Sequence, residues 1–319
     1  MANNNQNIIV EDQHWVPRFY LKRFANEKNF IEVLDIKNVK LNPARPYSGV
    51  CYEKFFYAVD TGKQDEASQK IEDIFQGIED KAAPALNKLE KSILNNQQLD
   101  SRQMYFVSLF MSSLWIRSKH FREKINRISS HFYKETEKFR ASMDGYKDHI
   151  KTIAKELKKK EGLDMDDEDI DWYVKLMQTG NYDLSFNNVE QLLFIEHLEG
   201  FANVIFNKNW RVYIAVDEKE FITSDTPVIE LSPELPNIYG YTFLERKHYF
   251  PLSPKVLIEL VEPVSGKKVI RKRIKDNDVQ RFNLIRPGLS FQYCYAKGKK
   301  EFEEMIEIKK SINKEKTKI

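Results

Sequence analysis

The feature that most constrains this chain is a change of hydrophobic period close to Trp210. Between about Asp65 and Leu94 the apolar residues Ile71, Ile74, Phe75, Ile78, Ala82, Leu86 and Leu89 recur at helical spacing. Pro84 is expected to kink or split that helix. Asp100 is a good N-cap for a second long helix, expected to run unbroken through YFVSLFMSSLWIRSKHFREKINRISSHFYKE. The first half of it is apolar nearly all round and belongs at the centre of a fold. Residues 145–161 read as a basic amphipathic helix. The acidic run from Asp166 to Asp171 opens another through Met177, and Val189 to Phe206 forms a further one. Past Trp210 the period is two: WRVYIAV, EFITS, HYFPLSP, VLIELVE, KVIRKRI and LSFQYCYA read as strands. Helices and strands kept in separate stretches define an α+β chain with a mainly antiparallel C-terminal sheet, not an alternating α/β one.

Ahead of the helical middle lies an extended N-terminal segment. Residues 1–11 are polar, and Pro17 suits the first turn of a short helix reaching Phe24. FIEVLDI alternates as a half-buried strand, NPARPYSG reads as a loop, and CYEKFFYAV as a second strand or an extended segment. The expected division is 1–64 for the N-terminal motif segment, 65–208 for the helical region, 209–297 for the β-rich region and 298–319 for a charged tail. One composite core is expected to join the first three.

Composition narrows the function classes. The 319 residues are 41% hydrophobic and 31% charged with 11 Gly and 11 Pro, which excludes a wholly disordered or collagen-like chain. With 51 Lys plus Arg against 48 Asp plus Glu, the net charge of +3 argues for no nucleic-acid role by itself. The two cysteines, Cys51 and Cys294, form no CxxC and fit a reducing cytoplasm. The start has no basic-then-apolar leader, and Met104 to Ile116 falls short of a spanning helix, so no membrane association is expected. HExxH, Walker and GxGxxG motifs are absent.

Three segments together carry a resemblance. Gln13-His14-Trp15-Val16-Pro17 is followed by Tyr20-Leu21 and Phe24. Phe221-Ile222-Thr223-Ser224-Asp225-Thr226-Pro227-Val228 comes after the helical middle, and Phe250-Pro251-Leu252-Ser253-Pro254 after that. In this order they resemble a bacterial family known as domain of unknown function 4238, over roughly residues 12–297. The family also places an arginine late in its central helix, which Arg117 matches; here Lys119 stands where the family has proline. No catalytic mechanism comes with the resemblance.

The motif residues are the candidate site. His14 titrates near neutrality and can act as acid, base or metal ligand, or it can cap the Pro-started helix beside Trp15. Thr223-Ser224-Asp225 can supply a nucleophile (Ser224), and a base, metal ligand or orienter (Asp225), or it can be an Asx-turn ending a strand. No glycines flank Ser224 as a nucleophile elbow requires. Arg18, Arg117 and Arg211 are candidate forks for a phosphate, or ion-pair partners of a carboxylate such as Glu79 or Glu196. Phe55, Phe56 and Tyr57, and the alternating Phe291, Tyr293 and Tyr295, can stack bases, or the alternating set can face a core. Lys267-Lys268 with Arg271-Lys272-Arg273, beside the turn expected at Ser265-Gly266, are either a phosphate-contacting hairpin or a solvated edge strand. The acidic run lacks the glycine and terminal glutamate of a calcium loop.

The expectation is that His14, Arg18, Arg117, Ser224 and Asp225 converge where helices meet sheet. They would then hydrolyse a phosphate-bearing substrate, a nucleotide or nucleic acid, with His14 as acid–base, Asp225 as orienter and Arg18, Arg117 and Thr223 binding the anion. The family's occurrence in bacterial genomes suggests a toxin or phage-defence setting. No metal ligand set is identified and the cofactor stays open, although Asp225 is compatible with a divalent metal. The alternative is a non-enzymatic ligand-binding or protein-interaction module in which the same motifs are structural clasps.

Overall fold

A computed structural model describes residues 9–59, 66–184, 192–231, 247–263, 266 and 268–307. It is α+β, with a helical middle and a C-terminal sheet as expected. The chain divides into two compact units. One contains residues 1–122 and 191–319, the other residues 123–190.

In the first unit, β1 (Asp12–His14) pairs antiparallel with β4 (Tyr52–Lys54), His14 opposite Tyr52. The expected strand from Cys51 to Val59 is confined to β4, because Cys51 and Phe55 take left-handed φ of 59° and 50° and end it on both sides. Pro17, with φ −61°, caps α1 (Arg18–Leu21). NPARPYSG is not a loop. Most of it lies in β3 (Lys40–Pro46), paired with β2 (Phe30–Asp35). A four-stranded sheet runs β3–β2–β11–β6, with β11 at Tyr293–Ala296 and β6 at Thr223–Ser224. Prolines survive in β3 because it is the edge strand, and its register slips by one residue opposite Glu32, where Pro43 and Ala44 bulge.

The five-stranded sheet runs β10–β5–β9–β8–β7, with β5 at Asn209–Ala215, β7 at Ile229–Leu231, β8 at Lys247–Ser253, β9 at Val256–Val261 and β10 at Val269–Ile274. Every residue of β9, its central strand, is buried. β10 does not turn back on β9 as a hairpin; it pairs parallel to β5 as an edge, where exposed Lys272 and Arg273 discourage further pairing. α8 (Asp276–Ile285) covers this sheet through Val279 and Phe282. Residues 300–307 are helical and bury Phe302 and Met305 against Leu34, Ile222 and Cys294; the rest of the charged tail, 308–319, lies outside the described residues.

α2 (Glu66–Leu94) continues through Pro84, because Ala82, Leu86, Leu89 and Ile93 bury one continuous face, and α2 packs on α3 (Ser101–Ile116). Asp100 caps α3 as expected, accepting from the N–H groups of Arg102 and Gln103. The expected single helix beyond it is two. Arg117 ends α3, and the Ser118 hydroxyl accepts from the Phe121 N–H to start α4 (Lys119–Ala141). The helix expected from Val189 begins partly outside the described residues; α7 occupies Leu198–Asn207 against α3. Tyr20, Phe110 and Phe250 meet as one aromatic cluster, with Tyr20 and Phe250 stacked at 5.4 Å between centroids.

The second unit holds most of α4 with α5 (Tyr146–Glu161) and α6 (Asp167–Thr179) around Ala141, Tyr146, Ile150, Ala154, Ile170 and Met177. Its acidic run is structural. Asp166 and Asp169 form a capping box, while Lys151 and Lys147 pair with Asp167 and Asp171.

Asp100→Ala is expected to cost about 1 kcal/mol, the usual worth of such a cap, and urea unfolding checks it.

Candidate functional site

The three sequence motifs meet through hydrogen bonds. At the end of β6, the Asp225 carboxylate accepts from three consecutive backbone N–H groups, those of Phe291 (3.0 Å), Gln292 (2.7 Å) and Tyr293 (2.8 Å). Its own N–H donates to the Tyr293 carbonyl, and its carbonyl accepts from the Trp15 indole at 3.2 Å. Ser224 Oγ donates to the Thr226 carbonyl and accepts from the Thr226 N–H. Thr223 Oγ1 lies 2.8 Å from the Tyr20 hydroxyl, which donates to the Pro251 carbonyl. Arg286, fully buried, donates to the Pro227 carbonyl. Burial pushes the Asp225 carboxyl up to about 6 against the pull of the three amides.

His14 and Arg18 lie elsewhere. His14, the last residue of β1, and Trp15, the residue after it, line different cavities. His14 lines one of about 570 Å³ with Arg18 and the carboxylates Asp12, Glu72, Asp73, Glu79 and Asp80. Its Nε2 is 3.3 Å from both Arg18 Nε and the Ser48 carbonyl. One nitrogen cannot accept from the first while donating to the second, so the bond to Arg18 requires a neutral ring. Burial, then the Arg18 charge, hold His14 below its usual pKa, and the ring stacks on Tyr52 at 5.2 Å. Burial raises Glu72 to about 7.

Arg117 donates from Nη1 to Glu79 at 2.8 Å, and its guanidinium lies 4.9 Å from the Phe75 ring centre; its Nε and Nη2 have no partner among the described residues. Arg211 pairs with Glu259 at 3.6 Å. The five expected site residues therefore fall into two groups. His14, Arg18 and the Glu79 partner of Arg117 surround an acidic cavity, whereas Ser224 and Asp225 belong to the clasp. Among the described residues no group of three or more His, Cys, Asp or Glu side chains is placed to hold a metal.

The other cavity, about 370 Å³, was not identified from sequence. Asp225, Trp15 and Tyr52 line it together with Phe291, Tyr293 and Tyr295. Asn42 and Arg45 reach it from β3, and Lys119 from the start of α4. Lys119 Nζ bonds Glu53 and sits 4.3 Å from the Trp15 ring centre. Arg45 forms no ion pair with any described residue. The alternating aromatics of β11 were the one legible signal of this cavity. Both cysteines are free and buried, and Cys51 lines the cavity.

The fold with its motif-built clasp defines an α+β protein whose three motif segments meet at one internal junction. The chain matches the family model described as protein of unknown function DUF4238 over residues 12–300, and it belongs to that family. No curated protein and no solved structure matches it significantly. None of the described helices is long and apolar enough to cross a membrane.

Two outcomes are expected. Asp225→Ala strands three amides and should cost roughly 3 kcal/mol or more in chemical denaturation, with Asp225→Asn intermediate because one amide oxygen replaces two. The second concerns pH. The folded chain holds His14 below its ordinary value of 6.5, so it binds fewer protons there than the unfolded chain. That contribution is fully present above about 6.5 and is lost as pH falls below it. The stability gap between wild type and His14→Gln should therefore shrink as pH falls from about 7 to about 5, and a gap independent of pH would contradict the assignment.

Proposed function

We propose that this protein is a ligand-binding module of the cytoplasm whose cavity beside Asp225 takes a phosphate-bearing aromatic molecule, a nucleotide or the end of a nucleic acid. The observation that carries this reading is one cavity that joins aromatic rings to a cation. Trp15, Tyr52, Phe291 and Tyr293 give the cavity aromatic walls against which a base would lie, and Arg45 is not engaged by any described carboxylate. A volume of about 370 Å³ suits a mononucleotide-sized ligand. Two buried free thiols in a chain without disulfides among the described residues support the reducing compartment.

Binding is favoured over hydrolysis because the groups a hydrolase would use are already engaged. Both Asp225 oxygens accept backbone N–H groups, and Ser224 Oγ is closed on Thr226. His14 faces the acidic cavity, where five carboxylates oppose a phosphate. The motifs are clasps in this reading, and the cavity they wall is the site.

Isothermal titration with the four ribonucleoside monophosphates at low salt tests it. At least one is expected to bind, and Arg45→Ala should weaken it about tenfold or more and flatten the salt dependence. No binding by the wild type, or unchanged binding by Arg45→Ala, would refute the assignment.

A further inference from the structure

We infer that Asn42 binds the ligand's phosphate together with Arg45, and that the bulge in β3 is what brings these two side chains to one cavity. This rests on the binding reading above and sets how the nucleotide lies in that site.

Up to the bulge, β3 alternates. Leu41 packs against the cluster of Leu34, Ile222 and Cys294 on one face of the sheet, and Asn42 lines the cavity on the other. Three residues on from Asn42, a regular strand would carry Arg45 to the face of Leu41. The extra residue at Pro43 and Ala44 reverses that. Asn42 stands opposite Val33 and Arg45 opposite Ile31, positions that share a face of β2. Both Asn42 and Arg45 accordingly line the cavity. Asn42 is half-buried and Arg45 exposed, and neither makes a side-chain hydrogen bond or ion pair with a described residue.

The surrounding charges orient the ligand. Asn42, Val33 and Tyr295 form one row across β3, β2 and β11, and all three line the cavity. At the usual strand spacing this row spans roughly 10 Å, a distance a nucleotide covers from base to phosphate. The Asp225 carboxylate stands at the β11 end with Phe291 and Tyr293, and it repels a phosphate there. Lys119, another cation of the wall, is bonded to Glu53. The β3 end holds the unpaired Arg45 and a carboxamide whose N–H groups can donate to a phosphate oxygen. The phosphate therefore lies over β3, at the sheet edge where it keeps much of its hydration, and the base lies toward β11.

The test uses wild type, Asn42→Asp and a variant lacking Ala44. Each is titrated with the tightest-binding of the four ribonucleoside monophosphates and with its nucleoside, and each is melted without ligand. Asn42→Asp keeps the side chain's size but replaces donors with a charge of the phosphate's own sign. It is expected to weaken the nucleotide about tenfold or more and the nucleoside less than about twofold. At this half-buried edge position its unliganded melting temperature should stay within about three degrees of wild type. Removing Ala44 restores regular alternation, so it should lose as much nucleotide affinity as Arg45→Ala while keeping the nucleoside. Nucleotide affinity unchanged by Asn42→Asp would overturn the inference and leave the cavity reading intact. An equal loss for nucleotide and nucleoside would place Asn42 at the base and overturn it as well. Full nucleotide affinity without Ala44 would overturn the role of the bulge. If the deletion melts far below wild type, the Asn42→Asp comparison decides the inference. Failure of the wild type to bind any of the four nucleotides would overturn both this inference and the cavity reading.

Discussion

One carboxylate holds the junction on which the first unit depends. Asp225 is almost fully buried and accepts three consecutive backbone N–H groups from the stretch that leads into β11. Those amides have no ladder partner for their protons at that point, and leaving them unpaired in the interior would be costly. The carboxylate solves this and sets where β11 begins. β11 in turn joins β2 to β6, so the N-terminal hairpin and the C-terminal half of the chain share one sheet.

Around this anchor the other motif residues are bracing. The Trp15 indole takes the Asp225 carbonyl, and Tyr20 bonds both Thr223 and the Pro251 carbonyl while stacking on Phe250. Residues more than two hundred positions apart are thereby fixed within hydrogen-bond distance. These contacts tie the three motif segments to one another. The same bracing shapes the aromatic cavity, since Trp15 and Asp225 are part of its wall. The clasp and the cavity wall thus share one set of residues.

Much of the architecture was legible because it follows from local rules. The change of period near Trp210 separated helices from strands, Asp100 marked the start of α3, and the acidic run marked the start of α6. The misses have specific causes. β3 was hidden because its prolines argue against a strand unless it lies at a sheet edge, which only the tertiary order reveals. The break after α3 rests on a single serine hydroxyl serving as a cap inside an otherwise helical pattern. The site was less legible still. His14 and Trp15 are neighbours in sequence, yet they line different cavities, and His14 does not line the one that Asp225 lines. Asn42 and Arg45 of β3, Lys119 of α4 and Tyr295 of β11 come from three separate stretches that no spacing connects.

The central claim is that Asp225 is an anchor for backbone amides. Native-state hydrogen exchange at Phe291, Gln292 and Tyr293 measures it directly, because each amide reports whether its bond opens only with the whole unit. The account predicts that all three exchange as slowly as the buried amides of β9, close to the global unfolding free energy. Exchange at the rate of an exposed loop would mean the carboxylate is free of them and available for chemistry, and would contradict the account.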